Sequence, residues 1–261
     1  MDEKMLRMAA QELYEAEKTA KPVVRLCKRF PDMSMKDAYT VQLLGMELRQ
    51  QQGHKVIGRK IGLTSKAMQE AFGVYEPDYG YIADYMMVME GEPLSMGKLR
   101  LPKVEAEIAF VLRDKLAGPG ITLTDVMRAT EGVIPALEII NTRYEDWKIT
   151  VEDSIADGAS IGKVVLGDNM VKVQGFDLRY TGMVLEKNGE IISTAAGAAT
   201  LGHPANAVVW LANKLADYGQ HLAAGDIIIS GALTAACSVA AGDAVRATFD
   251  RLGSVGIRFA E

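Results

Sequence analysis

The first third of the chain has the apolar spacing of helices. Apolar residues recur every three to four positions from Leu6 to Ala16, and Pro22 ends this pattern. A second helix is predicted to begin at Ser34. Asp37, three residues later, completes a pattern that resembles a capping box, with Asp in place of the usual Glu or Gln. We therefore predict a helical N-terminal part.

After residue 54 the pattern changes to short extended runs. "HKVIGRKIGLT" predicts a strand, "SKAMQEAFG" a short helix, and "YEPDYGYIADYM" a turn that leads into extended chain. Two further helices are predicted, one beginning near Thr122 and one running from Pro204 to Gly219. The remaining strands are predicted at 104–112, 133–140, 163–166, 180–187, 226–230, 244–249 and 254–259.

The predicted strands far outnumber the helices that could connect parallel strands. This excess argues against a doubly wound βαβ sheet and favours a mixed, strand-rich α+β fold. We predict a mainly helical part over residues 1–70 and a larger strand-rich domain over 71–261. The boundary is a change of pattern between residues 55 and 75, with no Pro- or Ser-rich linker.

Composition excludes several functional classes. The 261 residues are 49% hydrophobic and 24% charged, which is ordinary for a soluble globular protein. The net charge is −5 and the basic residues are scattered, so we expect no nucleic-acid partner. The chain shows neither a signal-peptide pattern nor an apolar run of about 20 residues, so we expect no membrane association. We predict a cytoplasmic protein whose two cysteines, Cys27 and Cys237, have no metal-type spacing.

Three glutamates stand out because they lie in apolar segments. Glu105 and Glu107, in "PKVEAEIAFVL", are one residue apart, so a strand would project both from the same face. The alternative to a functional role is that these two glutamates lie on the solvent-exposed face of a half-buried strand. Glu138 lies between apolar neighbours in "EGVIPALEIIN", where an ionised carboxylate needs a partner, and Arg143 is one candidate. If the three carboxylates converge, a divalent hard cation, Mg²⁺ or Mn²⁺, would offset their repulsion.

Other residues are weaker candidates when taken singly. Lys60, in "GRKIGLT", could shuttle protons if it lay beside a bound cation, although a surface lysine is the simpler interpretation. Asp78, in "EPDYG", has ordinary turn neighbours, and Ser160 lies in "DSIADGASIG", which is either a ligand-binding or a plain loop. His203 is expected to cap or pack a helix. No GxGxxG or Walker A motif is present, and no suitably placed GxSxG motif supports a nucleophile–base triad.

Several segments in order resemble one known family. "GRKIGLTSKAMQEAFGVYEPDYGYIADYM", "PKVEAEIAFVL", "VIPALEIINTRYEDWKI", "ADGAS", "LGHPANAVVWLANKLA" and "GDIIISGAL" are similar to the 2-keto-4-pentenoate hydratases and 4-oxalocrotonate decarboxylases. These enzymes form the vinylpyruvate branch of the fumarylacetoacetate hydrolase superfamily. The resemblance covers nearly the whole chain. It departs at Gly158, where the family usually has Asn.

The resemblance implies a fumarylacetoacetase-type catalytic domain over 71–261, with Mg²⁺ or Mn²⁺ held by Glu105, Glu107 and Glu138. It further implies acid–base roles for two residues, Lys60 and Asp78, and places Ser160 near the substrate carboxylate.

The resemblance also implies a reaction, the metal-dependent hydration of a 2-hydroxy-2,4-dienoate during meta-cleavage degradation of aromatic compounds. The alternative is 4-oxalocrotonate decarboxylation at the same site. Retention of all five acidic and basic site residues argues against a third interpretation, a silent metal- or ligand-binding protein. Relatives of this kind are commonly homo-oligomers, so we expect one here.

Overall fold

The structure, a computed structural model, describes residues 1–261. It contains seven α-helices: α1 (Glu3–Thr19), α2 (Leu26–Arg29), α3 (Met35–Gln51), α4 (Lys66–Phe72), α5 (Leu123–Ala129), α6 (Val151–Ala156) and α7 (Pro204–Ala216). The thirteen strands are β1 (Val56–Gly62), β2 (Asp78–Ala83), β3 (Met87–Val88), β4 (Pro93–Ser95), β5 (Lys103–Leu112), β6 (Thr130–Ile140), β7 (Ile161–Leu166), β8 (Gly182–Lys187), β9 (Glu190–Ala196), β10 (Ile227–Ile229), β11 (Cys237–Ser238), β12 (Ala244–Phe249) and β13 (Gly253–Ala260). No helix has both the length and the apolar character that crossing a bilayer requires.

The strands form two mixed sheets. The larger has eight strands in the order β2-β1-β10-β5-β6-β7-β3, with β11 pairing beside β5. The smaller has five strands in the order β4-β13-β12-β8-β9, and its strands β12 and β13 pack against β6 and β7. Most pairs of neighbouring strands are antiparallel. The parallel pairs are β1–β10, β3–β7 and β4–β13. The predicted α+β class is confirmed.

Local sequence signals account for most element boundaries. The Ser34–Asp37 capping box is formed as predicted, with the Ser34 N–H donating to Asp37 Oδ2 at 3.0 Å. His203 caps α7 by accepting from the Ala205 N–H at 3.1 Å, with Pro204 at the first helical position. The predicted strands correspond to β5, β6, β7, β8, β10, β12 and β13. The elements that were not predicted are helices α2 and α6 and strands β3, β4, β9 and β11.

The N-terminal helices share the hydrophobic core of the sheets. Buried residues of α1 and α3, such as Leu13 and Val41, belong to the same cluster as Ile108 of β5. Strand β1 pairs with β2 and β10, so residues 56–62 are part of the larger sheet. The division of the chain at residue 70 stays a prediction.

Candidate active site

The register of β5 against β6 brings three carboxylates together. Glu105 and Glu107 alternate along β5 and therefore share a face of the sheet. Glu138 lies directly opposite Glu105 on β6, and directly opposed residues project to the same side. The carboxylate oxygens that the three side chains offer lie within 4.8 Å of one another. The predicted convergence of the three glutamates is therefore observed.

The carboxylates are buried and short of hydrogen-bond donors. Glu107 and Glu138 have no exposed surface, which excludes the solvated-face alternative. Glu107 Oε2 accepts from the Gly231 N–H at 2.7 Å, whereas Glu107 Oε1 and Glu138 Oε2 have no hydrogen-bond partner and Glu138 Oε1 has only an ion-pair contact. Burial and the neighbouring charge of Glu138 raise the pKa of Glu105 to about 7 and that of Glu107 well above its ordinary value.

A divalent hard cation fits these residues. The cluster offers oxygen atoms only, and two of those atoms, Glu107 Oε1 and Glu138 Oε2, are buried without a donor. Such an orphaned acceptor is costly in the interior of a protein, whereas carboxylate oxygens are the preferred ligands of Mg²⁺ and Ca²⁺. The donor set contains no histidine or cysteine, which zinc would favour. The carboxylate cluster can therefore hold a metal ion.

Lys60 reaches this cluster from another part of the larger sheet. Its Nζ lies 3.2 Å from Glu138 Oε1, and the side chain is buried rather than on the surface. Strands β10 and β5 separate β1 from β6, about 14 Å in a flat sheet, so the sheet must curl to bring the two side chains together. Arg143, the alternative partner of Glu138, pairs with Asp157 instead.

Asp78 lies beside Lys60 on the neighbouring strand. It faces Gly62 across the β1–β2 pair, two residues beyond Lys60, so the two side chains share a face. A Cβ at Gly62 would lie 2.2 Å from Asp78 Oδ1, so only glycine leaves room for this carboxylate. Asp78 is buried, and its Oδ1 accepts no hydrogen bond.

Lys60 and Asp78 have perturbed pKa values. Burial alone would lower the pKa of Lys60, but the negative charges of Glu138 and Asp78 outweigh it and raise the pKa above its ordinary value. Burial raises the pKa of Asp78, and the Lys60 charge opposes that shift. Two buried groups with perturbed pKa values, one of them ion-paired with Glu138, are candidates for proton transfer.

Ser160 lies on a tight turn that follows α6. Its side chain is buried, and its Oγ has no hydrogen-bond partner. The segment 153–162 was predicted to be a loop, but α6 occupies its first part and β7 begins at Ile161, so only the turn between them is loop.

Four of these residues line one cavity of about 610 Å³. Its charged and polar lining includes Lys60, Asp78, Glu105 and Ser160. Its apolar lining consists of side chains that include Met68, Phe72, Ile140, Trp147 and Ile149. A concave site with a few convergent polar groups and an apolar wall suits a small organic acid.

Three lining residues were missed as site candidates in the sequence. Lys103 lies two positions before Glu105 on the same strand face, so period-two counting would have found it. Its Nζ stands 4.9 Å from the centre of the Trp147 ring. Thr234 lines the cavity with a buried, unpartnered hydroxyl. Trp147 and Thr234 come from loops, where no periodic signal exists.

Comparison with known proteins identifies the family. A sequence profile described as fumarylacetoacetate (FAA) hydrolase C-terminal matches residues 62–260. The chain belongs to this family. It is 47% identical over 220 residues to a 2-hydroxypent-2,4-dienoate hydratase of Pseudomonas putida, an alignment that covers 84% of this chain and 99% of that protein.

Other members include a decarboxylase. A 4-oxalocrotonate decarboxylase of Pseudomonas putida is 42% identical over 250 residues, covering 96% of this chain and 95% of that protein. The structure of 4-oxalocrotonate decarboxylase from Pseudomonas putida G7, complexed with magnesium and adipate, superposes with a TM-score of 0.97. It is 40% identical, and the superposition covers 99% of this chain and 98% of that one. The chain is thus a member of an enzyme family whose similar relatives are hydratases and decarboxylases.

Proposed function

We propose that this protein is a metal-dependent hydratase that adds water to a 2-hydroxy-2,4-dienoate and yields a 4-hydroxy-2-oxo acid. The observation that carries the proposal is the cluster of Glu105, Glu107 and Glu138, in which Glu138 pairs with Lys60 at 3.2 Å. Lys60 and Glu105 of this group line the 610 Å³ cavity. The 47% identity to a dienoate hydratase supports the same reaction. Such a hydratase serves the degradation of aromatic compounds by ring cleavage.

The three glutamates are the proposed ligands of the metal ion, Mg²⁺ or Mn²⁺. When bound, the cation would act as a Lewis acid toward the carboxylate and 2-oxygen of the substrate. Its charge would also oppose the negative charges that raise the pKa of Lys60, and so make this lysine a better proton shuttle.

Lys60 and Asp78 are the proposed proton-transfer groups. One proton leaves the 2-hydroxyl and one arrives at C5, which converts the dienol into a 2-oxo-3-enoate. The C4 atom of this tautomer is electrophilic, and water adds there. Both groups are buried, which limits exchange of the transferred protons with bulk solvent. Ser160, whose hydroxyl has no protein partner, is the proposed donor to the substrate carboxylate.

A second candidate is 4-oxalocrotonate decarboxylation. The TM-score of 0.97 to a decarboxylase supports it. Decarboxylation also forms an enolate, which the same residues would stabilise. The two reactions differ in the bond that breaks. Decarboxylation releases CO₂ from a 2-oxohex-3-enedioate, whereas hydration forms a C4–O bond on a substrate that keeps its carbon skeleton.

The deciding experiment offers both substrates to the purified protein with Mg²⁺ and, in parallel, with Mn²⁺. NMR of the products separates a 4-hydroxy-2-oxo acid from a decarboxylated dienol. We expect hydration of 2-hydroxypenta-2,4-dienoate, and no turnover after chelation of the metal. Turnover of 4-oxalocrotonate alone would favour the decarboxylase, and metal binding without turnover of either would favour the silent binding protein.

Two further expectations remain predictions. A cytoplasmic location and a homo-oligomeric state are both expected from the resemblance and composition. Size-exclusion chromatography with light scattering measures the second.

A further inference from the structure

The turn that carries Ser160 has a backbone that needs external support. Gly158, Ala159 and Ser160 all have positive φ angles, of 71°, 54° and 59°. Glycine adopts this region freely, but a residue with a Cβ does so only at a cost. Two such residues in succession persist only where surrounding contacts hold them.

Arg143 supplies these contacts from the segment that follows β6. Its guanidinium donates to the side chain and the carbonyl oxygen of Asp157, and its Nη1 donates to the Ile161 carbonyl oxygen at 2.6 Å. The Arg143 backbone N–H donates to Asp157 Oδ2 at 3.0 Å. Arg143 and Asp157 are both buried. One planar side chain thus ties the first residue of the turn to the last.

Neither Arg143 nor Asp157 lines the cavity, whereas Ser160 does. We infer that Arg143 is a positioning residue, which holds the 157–161 turn so that the Ser160 hydroxyl meets the substrate carboxylate. This inference rests on the proposed function of Ser160. It assigns to the Arg143–Asp157 ion pair a role in substrate binding, beyond stabilising the fold.

A double-mutant cycle tests the inference. Arg143→Lys keeps the positive charge but cannot span the turn, and Ser160→Ala removes the hydroxyl. KM and kcat are measured with 2-hydroxypenta-2,4-dienoate and Mg²⁺, and Kd is measured by calorimetry with unreactive 2-oxopentanoate. Each single variant should raise KM and Kd about tenfold, as expected for loss of a hydrogen bond to a charged group. The double variant should bind no more than about twofold more weakly than either single variant.

A matched control separates positioning from general loosening. Arg49 forms another ion pair, half-buried, with Glu17, and it donates no hydrogen bond to the turn. Arg49→Lys should lower the melting temperature but leave KM and Kd unchanged. If Arg143→Lys does not fold, Asp157→Asn weakens the same contact and replaces it in the cycle.

Two results would overturn the inference. One is an additive cycle, in which the double variant loses about a hundredfold. The other is an Arg49→Lys variant whose KM rises as much as that of Arg143→Lys. If the wild-type protein turns over neither substrate, the proposed function fails by itself, and the 2-oxopentanoate cycle still decides the role of Arg143.

Discussion

Replacing Glu107 by Gln should stabilise the metal-free protein and remove its response to Mg²⁺. The change keeps the size of the side chain and an acceptor oxygen for the Gly231 N–H, which Glu107 now binds at 2.7 Å. It removes one of three negative charges from a cluster in which Glu107 and Glu138 are fully buried. Without a cation these charges repel one another, whereas with a cation all three would attract it.

The magnitude follows from the separation of the oxygens. At 4.8 Å, two unit charges repel by about 3.5 kcal/mol at an effective dielectric constant of about 20. The wild-type protein escapes part of this cost by protonation, since burial raises the pKa of Glu107 well above its ordinary value. We therefore expect the unfolding free energy of the metal-free variant to rise by about 1–3 kcal/mol, a melting temperature higher by roughly 5 °C. Loss of a residue that only orients a metal ligand typically lowers metal affinity ~10–100-fold. Glu107 is itself a proposed ligand, so the Mg²⁺ affinity of the variant should fall by at least as much.

The assay compares thermal unfolding of both proteins with and without Mg²⁺, alongside calorimetric Mg²⁺ titration and turnover. At a Mg²⁺ concentration about 100 times Kd, the wild-type protein should gain about 2.7 kcal/mol. The variant should gain little at that concentration and should not turn over substrate. Glu131→Gln, on β6 outside the cluster, is the matched control. A Glu107→Gln variant that binds Mg²⁺ as tightly as wild type would refute the proposed metal site.

Three other predictions test the electrostatics and packing of the site. The pKa of Glu105 is raised from 4.5 to about 7 in the folded protein, so the folded state binds this proton more tightly than the unfolded state. The unfolding free energy of the metal-free protein should therefore be highest below pH 4.5 and should fall by about 3 kcal/mol as pH rises through about 7. Urea unfolding of metal-free protein between about pH 5 and pH 8 measures this loss, and a flat profile would contradict it. Lys60→Met should lower kcat by about 10²–10⁴-fold with Mg²⁺ binding retained, and turnover close to wild type would exclude its acid–base role. Gly80→Ala places a Cβ 2.1 Å from the Gly158 carbonyl oxygen and should cost about 1–3 kcal/mol in denaturant titration, with lower turnover. The control is Gly182→Ala, whose Cβ would have no atom within 4 Å, and it should change neither stability nor turnover.

Much of the site was accessible from local sequence patterns. Period-two alternation is enough to place Glu105 and Glu107 on one strand face, because it depends only on the geometry of consecutive residues. Apolar neighbours marked Glu138 as a carboxylate in need of a partner. The capping roles of Ser34 and His203 could also be predicted locally, since each side chain bonds to a backbone group within three residues.

Long-range geometry decided the rest. The β5–β6 register places Glu138 opposite Glu105, and a shift by one residue would have turned it to the other face of the sheet. Curling of the larger sheet pairs Glu138 with Lys60, although Arg143 is far closer in sequence.

Side-chain alternation is a property of a single strand, so the order of the amino acids is enough to tell which residues can share a face. Which faces meet, and which charges are buried together, follows from the packing of the whole chain. Those outcomes depend on how all the strands pack, and no short segment encodes them.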